Sequence, residues 1–305
     1  LAISGTTRVT GIFGDPVAHS LSPYMHNAAF AGLGLDMVYV PWRVRAEELG
    51  TAVEAIRALN IIGVNVTIPH KVAVLPFLDE VTPQARLIGA VNTIHNQDGR
   101  LIGHNTDGAG FLESLRREAG VDPKSATVML AGAGGAARAV ATALALAGVR
   151  RLVLANRTPA RAQELAEALA NAMPSCEVRA VTLDEPGLRS HLAGTDIFIN
   201  ASPVGMHPEV DQPPVVDPGL FPPGILVCDL VYNPLETRLL RESKDKGLRV
   251  LPGGGMLLYQ GVLAFEIWTG HPAPVGKMRA ALEDALARRK KKDFKDSMSN
   301  SLSNT

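Results

Sequence analysis

A strand-like run that leads into a glycine-rich turn and then a helix constrains the fold of this chain most. Thr127–Leu130 has strand character, and Arg138–Ala147 has helical character. Between them stands Ala131-Gly132-Ala133-Gly134-Gly135-Ala136-Ala137. Glycines allow the tight turn and let a pyrophosphate reach bare backbone at a helix N-terminus, and small Ala137 lets the helix pack closely on the sheet. We predict a dinucleotide site here; a tight strand–helix connection without a ligand is the alternative.

The alternation of strand and helix patterns predicts an α/β fold. In the second half of the chain, strands are predicted near 127–132, 151–156, 177–181, 196–200, 226–231 and 249–251. Because helical patterns separate most of them, we expect a doubly wound parallel sheet. The first 105 residues carry shorter apolar runs, at 10–14, 37–40 and 63–68, also separated by helical stretches. They predict a separate N-terminal α/β unit.

Turn-rich residues 120–123 follow a helix that begins near Asp107, and we predict a domain boundary in this stretch. The predicted domains are 1–107 and 108–255. Residues 256–289 read as two helices that could pack on either domain. Residues 290–305 are basic and then rich in Ser and Asn with almost no apolar content, which predicts a disordered tail.

Composition excludes several classes of protein. Thirty basic residues balance thirty acidic ones among 305, so no overall charge favours nucleic acid or an anionic membrane. Cys176 and Cys228 fit neither a disulfide framework nor a zinc site. The N-terminus lacks the pattern of an export signal. We expect a cytoplasmic protein with a small-molecule partner and no metal, as a monomer or a homodimer.

The end of the second strand of the dinucleotide unit favours NADP over NAD. An NAD enzyme places a carboxylate about 20 residues after the glycine turn to bind the ribose 2′-hydroxyl. Here the strand ends at Asn156-Arg157-Thr158, and no acid is present. The permanently charged fork of Arg157, with Asn156 and Thr158 as neutral neighbours, suits a 2′-phosphate. A solvated arginine at a strand end is the alternative.

Polar residues in the N-terminal half form a candidate substrate site. Ser20 and Ser22 precede a helix; Ser22 is predicted as its N-cap, and both hydroxyls could hold a carboxylate there. Period two places Asn65 and Thr67 on one exposed strand face. Lys71 follows in the first turn of the next helix; alone it reads as a surface lysine.

Asn92 and Asp107 stand at the ends of predicted elements. Asp107 could cap the helix that it opens. Alternatively, a carboxylate that holds a lysine suits proton movement to or from an alcohol, with Asp107 fixing the ammonium of Lys71.

Eight ordered motifs together resemble those of the shikimate dehydrogenase family over about residues 8–285. They are Ser20-Leu21-Ser22-Pro23, Asn65-Val66-Thr67-Ile68-Pro69-His70-Lys71, Gly89-Ala90-Val91-Asn92-Thr93, Asn105-Thr106-Asp107-Gly108, the 132–137 loop, Asn156-Arg157-Thr158, Asn200-Ala201-Ser202-Pro203 and Met256-Leu257-Leu258-Tyr259-Gln260. The resemblance implies an N-terminal α/β substrate domain, completed by helices 256–289, plus a Rossmann-type doubly wound parallel-sheet NADP domain.

The resemblance also implies site residues. It gives Lys71 and Asp107 as the catalytic pair, with Ser20, Ser22, Asn65, Thr67, Asn92 and Gln260 on the substrate. It gives Gly132, Ala133, Gly134, Gly135 and Ala136 at the pyrophosphate, and Asn156, Arg157, Thr158 and Arg161 at the adenosine phosphate. Leu230, Tyr232, Gly253 and Met256 would line the nicotinamide end.

The implied reaction is the reversible, NADPH-dependent reduction of 3-dehydroshikimate to shikimate. Lys71 then either donates a proton to the developing alkoxide or stabilises its charge. A quinate/shikimate dehydrogenase that uses NAD, a dinucleotide-sensing module without turnover and a methylene-tetrahydrofolate dehydrogenase are the alternatives. Arg157 favours the first interpretation over a quinate/shikimate dehydrogenase. The intact pair Lys71 and Asp107 favours it over a sensing module, and the two serines favour it over a methylene-tetrahydrofolate dehydrogenase.

Overall fold

The structure is a computed structural model that describes the backbone of residues 3–302, and the side chains in that range apart from those of residues 185–187 and 290–302. The chain divides into two compact units. The first comprises Leu1–Glu80, Thr93–Ile102 and Gly261–Thr305; the second comprises Val81–Asn92 and Gly103–Gln260.

Strands and helices alternate through most of the chain. The strands are β1 (Arg8–Gly14), β2 (Met37–Arg43), β3 (Gly63–Val66), β4 (Glu80–Val81), β5 (Thr93–Gln97), β6 (Arg100–His104), β7 (Thr127–Ala131), β8 (Arg151–Asn156), β9 (Glu177–Thr182), β10 (Ile197–Asn200), β11 (Leu226–Asp229) and β12 (Arg249–Leu251). The α-helices are α1 (Ser22–Leu33), α2 (Leu49–Ala58), α3 (His70–Ala73), α4 (Pro83–Ile88), α5 (Asp107–Ala119), α6 (Gly135–Leu146), α7 (Pro159–Ala172), α8 (Glu185–Leu192), α9 (Arg238–Asp245), α10 (Gly254–Thr269) and α11 (Val275–Leu302). Among the described residues, no helix combines the length and the apolar character needed to cross a membrane.

The second sheet confirms the predicted doubly wound architecture. Its strand order is β12-β11-β10-β7-β8-β9, and every neighbouring pair is parallel. Starting from β7, the chain builds β8 and β9 on one side and then returns to build β10, β11 and β12 on the other. This is the Rossmann order, in which ligands bind at the carboxyl edge where the direction reverses. That point lies between β7 and β10.

Both faces of this sheet are covered, which explains its nearly continuous apolar strands. Alternate residues of β7 enter two different cores: Val128 and Leu130 pack in one, and Met129 and Ala131 in the other. Helices α6 and α7 contribute to the first core, whereas α8 and α9 contribute to the second. The parallel strands are therefore fixed by apolar burial on each side.

The first sheet has the order β2-β1-β3-β5-β6-β4. Its first three strands are parallel, and β5 runs antiparallel to β3. Helix α1 packs on β2 and on α11.

The domain boundaries and the tail differ from the predictions. Residues 103–107 and 256–260 belong to the second unit, although 1–107 and helices 256–289 were predicted to form one domain. Residues 81–92 belong to the second unit, because α4 packs on α6 and Ile88, Ala90 and Ala139 form one buried cluster. Helix α11 continues to Leu302 where a disordered tail was predicted from 290, and residues 303–305 of that tail lie outside the described residues. The extension from 290 contains no glycine or proline, and Lys290–Lys292 are good helix formers.

An aromatic cluster in the first unit surrounds His26. Its ring stacks on Tyr39, with centroids 4.4 Å apart and planes 4° apart, and Phe30 and Trp268 lie beside it. Neither ring nitrogen has a hydrogen-bond partner among the described residues. Burial lowers the pKa of His26 from 6.5 to about 3, so the ring is neutral at pH 7.

His26 should make the folded state sensitive to acid. Because its folded pKa lies below its unfolded pKa, its contribution is intact above pH 6.5 and is lost as pH falls from 6.5 towards 3. At pH 5 the loss is roughly 2 kcal/mol. We expect His26→Phe, which keeps a ring on Tyr39, to reduce the difference in unfolding free energy between pH 7.5 and pH 5, measured by urea titration. The exposed His271, changed to Gln, serves as the control. If His26→Phe shows the same difference in unfolding free energy between the two pH values as the wild type, His26 is not the source of the acid sensitivity.

Candidate active site

A buried hydrogen-bond network in the first unit surrounds Asn65. The Tyr39 hydroxyl donates to Asn65 Oδ1 at 2.7 Å, and Asn65 Nδ2 donates to Thr93 Oγ1 at 3.0 Å. The prediction of an exposed polar face was wrong for Asn65, which is 4% exposed, because β3 lies inside the sheet between β1 and β5. Thr67 lies just beyond the end of β3 and is half-buried.

Lys71 is the second residue of α3, in its first turn as predicted, and it is half-buried. The residue before it anchors this short helix, since the buried ring of His70 places Nε2 2.6 Å from the Val44 carbonyl oxygen. The ammonium of Lys71 thus extends from a helix whose start is fixed to the loop after β2.

The two serines occupy the start of α1, and Ser22 is not its N-cap. Ser22 is the first helical residue and is buried, and Leu21 is the N-cap without a side-chain hydrogen bond. Ser20, half-buried, accepts a hydrogen bond from the Ser22 amide at 3.3 Å. The predicted N-cap at Ser22 was wrong because Leu21 already has helical backbone angles, which moves the helix start forward.

In the second unit, Asn92 ties together three segments that are distant in sequence. Its Nδ2 donates to Asp107 Oδ1 and to Thr106 Oγ1, both at 2.9 Å, and lies 3.5 Å from Gln260 Oε1. Its Oδ1 accepts from the Thr106 amide at 2.8 Å. All four side chains are buried, so this network has a defined geometry rather than a solvated one.

The structure does not support helix capping by Asp107. Thr106 is the N-cap of α5, and no side-chain hydrogen bond caps the helix. Asn105 Oδ1 instead accepts from the Asp107 amide at 3.1 Å. The Asp107 carboxylate is therefore oriented by Asn92, at 4% exposure.

The glycine-rich turn has the geometry of a phosphate-binding loop. Gly132 has φ +132°, and a Cβ there would lie 2.7 Å from the Ala201 carbonyl oxygen. Gly134, the N-cap of α6, is exposed, and a Cβ on it would meet no atom within 4 Å. Open space thus faces bare amides at the start of a 12-residue helix, which fits a pyrophosphate. Ala133 is buried in the same turn, and Gly135 and Ala136 are half-buried at the helix start.

The other predicted cofactor residues lie on both sides of this turn in the second unit. Register pairs Ala131 with Ala155, so Asn156 follows at the edge beside Gly132. Asn156 Nδ2 donates to the Thr158 carbonyl oxygen at 2.9 Å. Three predicted phosphate ligands are exposed around the start of α7: Arg157, Thr158 and Arg161.

At the predicted nicotinamide end, Leu230 and Tyr232 follow β11 and are half-buried. Gly253 approaches this segment closely, since a Cβ on it would lie 2.5 Å from the Leu230 carbonyl oxygen. Met256, in the first turn of α10, is 8% exposed. These four residues therefore lie on two adjoining segments of the second unit.

A buried carboxylate joins the segments after β10 and β11. Asp229 Oδ1 accepts from Asn200 Nδ2 at 2.9 Å and from the Val231 amide at 3.0 Å. Its Oδ2 accepts from the hydroxyl of Thr237, the N-cap of α9, at 2.7 Å. Burial raises the pKa of Asp229 from 3.8 to about 7, although these three donors lower it.

Three family models match successive parts of the chain. Residues 12–94 match the family model of the shikimate dehydrogenase substrate binding domain, residues 114–207 that of shikimate / quinate 5-dehydrogenase, and residues 253–283 that of the shikimate 5′-dehydrogenase C-terminal domain. A shikimate dehydrogenase (NADP(+)) of Desulforamulus reducens is 49% identical over 286 residues, which cover 94% of this chain and 98% of that protein. The chain belongs to the shikimate dehydrogenase family.

Solved structures of this family agree with the fold. A shikimate dehydrogenase crystallised with NADP+ superposes with a TM-score of 0.87 at 44% identity, covering 93% of this chain and 98% of that one. The shikimate 5-dehydrogenase of Thermus thermophilus, in complex with NADP(H) and shikimate, gives a TM-score of 0.82 at 42% identity. That match covers 92% of this chain and all of the Thermus chain.

The structure brings together part of the site that was predicted from the sequence of this chain. Asn92, Asp107 and Gln260 share one network, and the cofactor residues share one sheet edge. Lys71 belongs to the first unit and Asp107 to the second, so their pairing stays a prediction. Sequence reasoning missed the roles of Tyr39, Thr93, Thr106 and Asp229. Thr93 and Thr106 stand inside recognised motifs, whereas Tyr39 gave no signal in its apolar strand.

Proposed function

We propose that this chain catalyses the reversible, NADPH-dependent reduction of 3-dehydroshikimate to shikimate. The observation that carries the proposal is the alignment with a shikimate dehydrogenase (NADP(+)) over nearly the full length of both proteins. The Thermus relative, whose crystals hold NADP(H) and shikimate, supports the same pair of ligands. The open turn at Gly134 supports the cofactor from this chain's own geometry.

Lys71 and Asp107 are the residues that act on the reacting oxygen. Bound NADPH supplies the hydride. Lys71 donates a hydrogen bond to the carbonyl oxygen as it gains negative charge and is the source of the proton that the product hydroxyl requires. Asp107 keeps the ammonium oriented. The Asn92 amide holds Asp107 Oδ1 at 2.9 Å, which limits the rotation of that carboxylate.

The remaining polar residues hold the ring substrate. Ser20 and Ser22, at the start of α1, bind its carboxylate, where the amides and dipole of the helix favour an anion. Asn65, Thr67, Asn92 and Gln260 bind its hydroxyls. Buried amides that already make fixed hydrogen bonds discriminate strongly against analogues that lack a hydroxyl, since a polar atom is then left unpaired.

The direct test follows NADPH absorbance with 3-dehydroshikimate as substrate. We expect oxidation of NADPH and, in the reverse direction, NADP+ reduction with shikimate. Parallel assays use NADH, and quinate with NAD. No turnover with any pair would overturn the proposal in favour of a dinucleotide-sensing module. Higher kcat/KM with quinate and NAD would replace it with a quinate dehydrogenase.

Arg157 should set the preference for NADPH. Its exposed guanidinium stands just beyond β8, and the motif Asn156-Arg157-Thr158 contains no carboxylate to bind a ribose hydroxyl. A hydrogen bond to a charged group contributes about 1.5–3 kcal/mol, so Arg157→Ala should raise KM for NADPH by about 10- to 100-fold and leave KM for NADH nearly unchanged. The exposed Arg116, changed to Ala, is the control. An equal rise in KM for NADPH and for NADH would show that Arg157 does not bind the 2′-phosphate.

A further inference from the structure

The carboxamide of Asn65 is held from two sides by groups that no part of the proposed reaction uses. Thr93 lies directly opposite Asn65 in the antiparallel pair of β3 and β5 and accepts from its Nδ2. Tyr39 reaches it from β2, two strands away, and donates to its Oδ1. Tyr39 is 1% exposed and Thr93 is fully buried.

Tyr39 is itself held by contacts to its backbone and to its ring. Asn27 in α1 donates from Nδ2 to the Tyr39 carbonyl oxygen at 3.0 Å and accepts from the Tyr39 amide at 2.8 Å. On the ring, His26 stacks face to face at 4.4 Å, and Trp268 lies at 6.1 Å. Trp268 is held in turn, because its Nε1 donates to the Ile94 carbonyl oxygen at 2.9 Å.

These contacts hold the Asn65 amide in place. A carboxamide can rotate to exchange its oxygen and its nitrogen, and the two orientations present opposite hydrogen-bonding character. In the structure the Tyr39 hydroxyl donates to Oδ1 and the Thr93 hydroxyl accepts from Nδ2, so the two contacts together hold the amide with its nitrogen towards β5. Loss of either contact would take one hydrogen bond from a buried amide and release its rotation.

We propose that Tyr39, assisted by Thr93, is a positioning residue for substrate binding that keeps Asn65 a hydrogen-bond donor towards a ring hydroxyl of the substrate. This inference rests on the proposed function, which places Asn65 on the substrate. Tyr39 acts through Asn65 and has no role in the hydride or proton step.

Tyr39→Phe tests the inference, since it removes the hydroxyl and keeps the ring that stacks on His26. We expect KM for shikimate to rise about two- to twelvefold, the range for one lost hydrogen bond, with kcat and KM for NADP+ changed less than about twofold. Thr93→Val, which removes the acceptor at similar volume, should give the same pattern. A general packing role would instead lower thermal stability and affect both substrates alike.

Thr10→Val is the matched control. Thr10 is fully buried on β1, is paired with Tyr39 in the sheet register, and donates its hydroxyl to the Val38 carbonyl oxygen at 3.1 Å. This variant loses a buried hydroxyl from the same sheet, but that hydroxyl serves the backbone of β2 rather than the amide of Asn65, so KM for shikimate should stay unchanged. A rise in this control equal to that of Tyr39→Phe would overturn the inference.

Asn65→Ala separates this inference from the function on which it rests. If Asn65→Ala raises KM for shikimate and Tyr39→Phe does not, positioning by Tyr39 is wrong and the proposed function stands. The double variant Tyr39→Phe/Asn65→Ala should match Asn65→Ala alone, because Tyr39 acts only through that amide. The inference would be refuted if the two single increases in KM multiply in the double variant, or if Asn65→Ala leaves KM for shikimate unchanged. Absence of shikimate oxidation by the wild-type chain would overturn both.

Discussion

Lys71→Met should lower kcat for shikimate oxidation by a factor on the order of 10² to 10⁴, the usual contribution of a positioned proton donor or acceptor. Methionine has a similar length and no charge, so the pocket shape is kept while the ammonium is lost. Because its contribution belongs to the transition state, KM for shikimate should change far less than kcat. Steady-state kinetics in both directions measure this, and near-normal kcat would remove Lys71 from the mechanism. Exposed Lys246, changed to Met, is the control.

A double variant tests whether Lys71 and Asp107 act as a unit. Asp107→Asn keeps an oxygen that can accept from Asn92 Nδ2, so it removes the charge and preserves the described network. We expect it to lower kcat as well, and we expect Lys71→Met/Asp107→Asn to be little worse than Lys71→Met alone, since residues that act together have non-additive effects. If the decrease in kcat of the double variant is instead the product of the two single decreases, the two side chains contribute separately and their pairing is wrong.

Lys71→Arg separates proton donation from charge stabilisation. Arginine keeps the positive charge, but its pKa is too high for it to give up a proton at neutral pH. A role restricted to charge should leave much of kcat in this variant, whereas a role in proton donation should leave kcat as low as in Lys71→Met.

Local patterns predicted the elements of this molecule better than they predicted its polar networks. The turn at Gly132 could be recognised because its function depends on consecutive residues, and strand alternation with helices was enough for the parallel sheet. The network of Asn92 joins residues up to 168 positions apart, which no periodicity encodes. Asn92 and Asp107 were singled out at the ends of predicted elements and Gln260 through a motif, whereas the role of Thr106 was missed. The hydrogen-bond geometry of the network required the fold.

Errors arose where neighbouring elements overrode local preference. Asn65 has the spacing of an exposed strand residue, but β3 is central in its sheet, so the polar side chain is buried and must be paired. Residues 81–92 resemble the N-terminal domain in pattern, yet the packing of α4 on α6 places them in the other unit. Tyr39 was missed because an aromatic residue in an apolar strand is ordinary core composition.

Asp229 should give the second unit a pH dependence opposite to that of His26. Its folded pKa of about 7 lies above the unfolded value of 3.8, so the folded state holds the proton more tightly. Its stabilising contribution is therefore fully present below pH 4 and is lost as pH rises through 7, by about 4 kcal/mol at most. Asp229→Asn removes the titration. We expect the wild type to lose unfolding free energy between pH 5 and pH 8, and Asp229→Asn to lose less of it.

Asp229→Ala should be far more damaging than Asp229→Asn. It leaves the Asn200 amide, the Thr237 hydroxyl and the Val231 amide without their acceptor, which should cost about 1–3 kcal/mol for each donor left unpaired. The same loss frees the segments that carry Leu230 and Tyr232, so KM for NADPH should rise in the fraction that remains folded. Urea titrations monitored by circular dichroism at both pH values measure the stabilities, with the exposed Asp122→Asn as control. If the wild type and Asp229→Asn differ by the same amount at pH 5 and pH 8, the carboxyl group does not titrate in that range. The network would then act only through its hydrogen bonds.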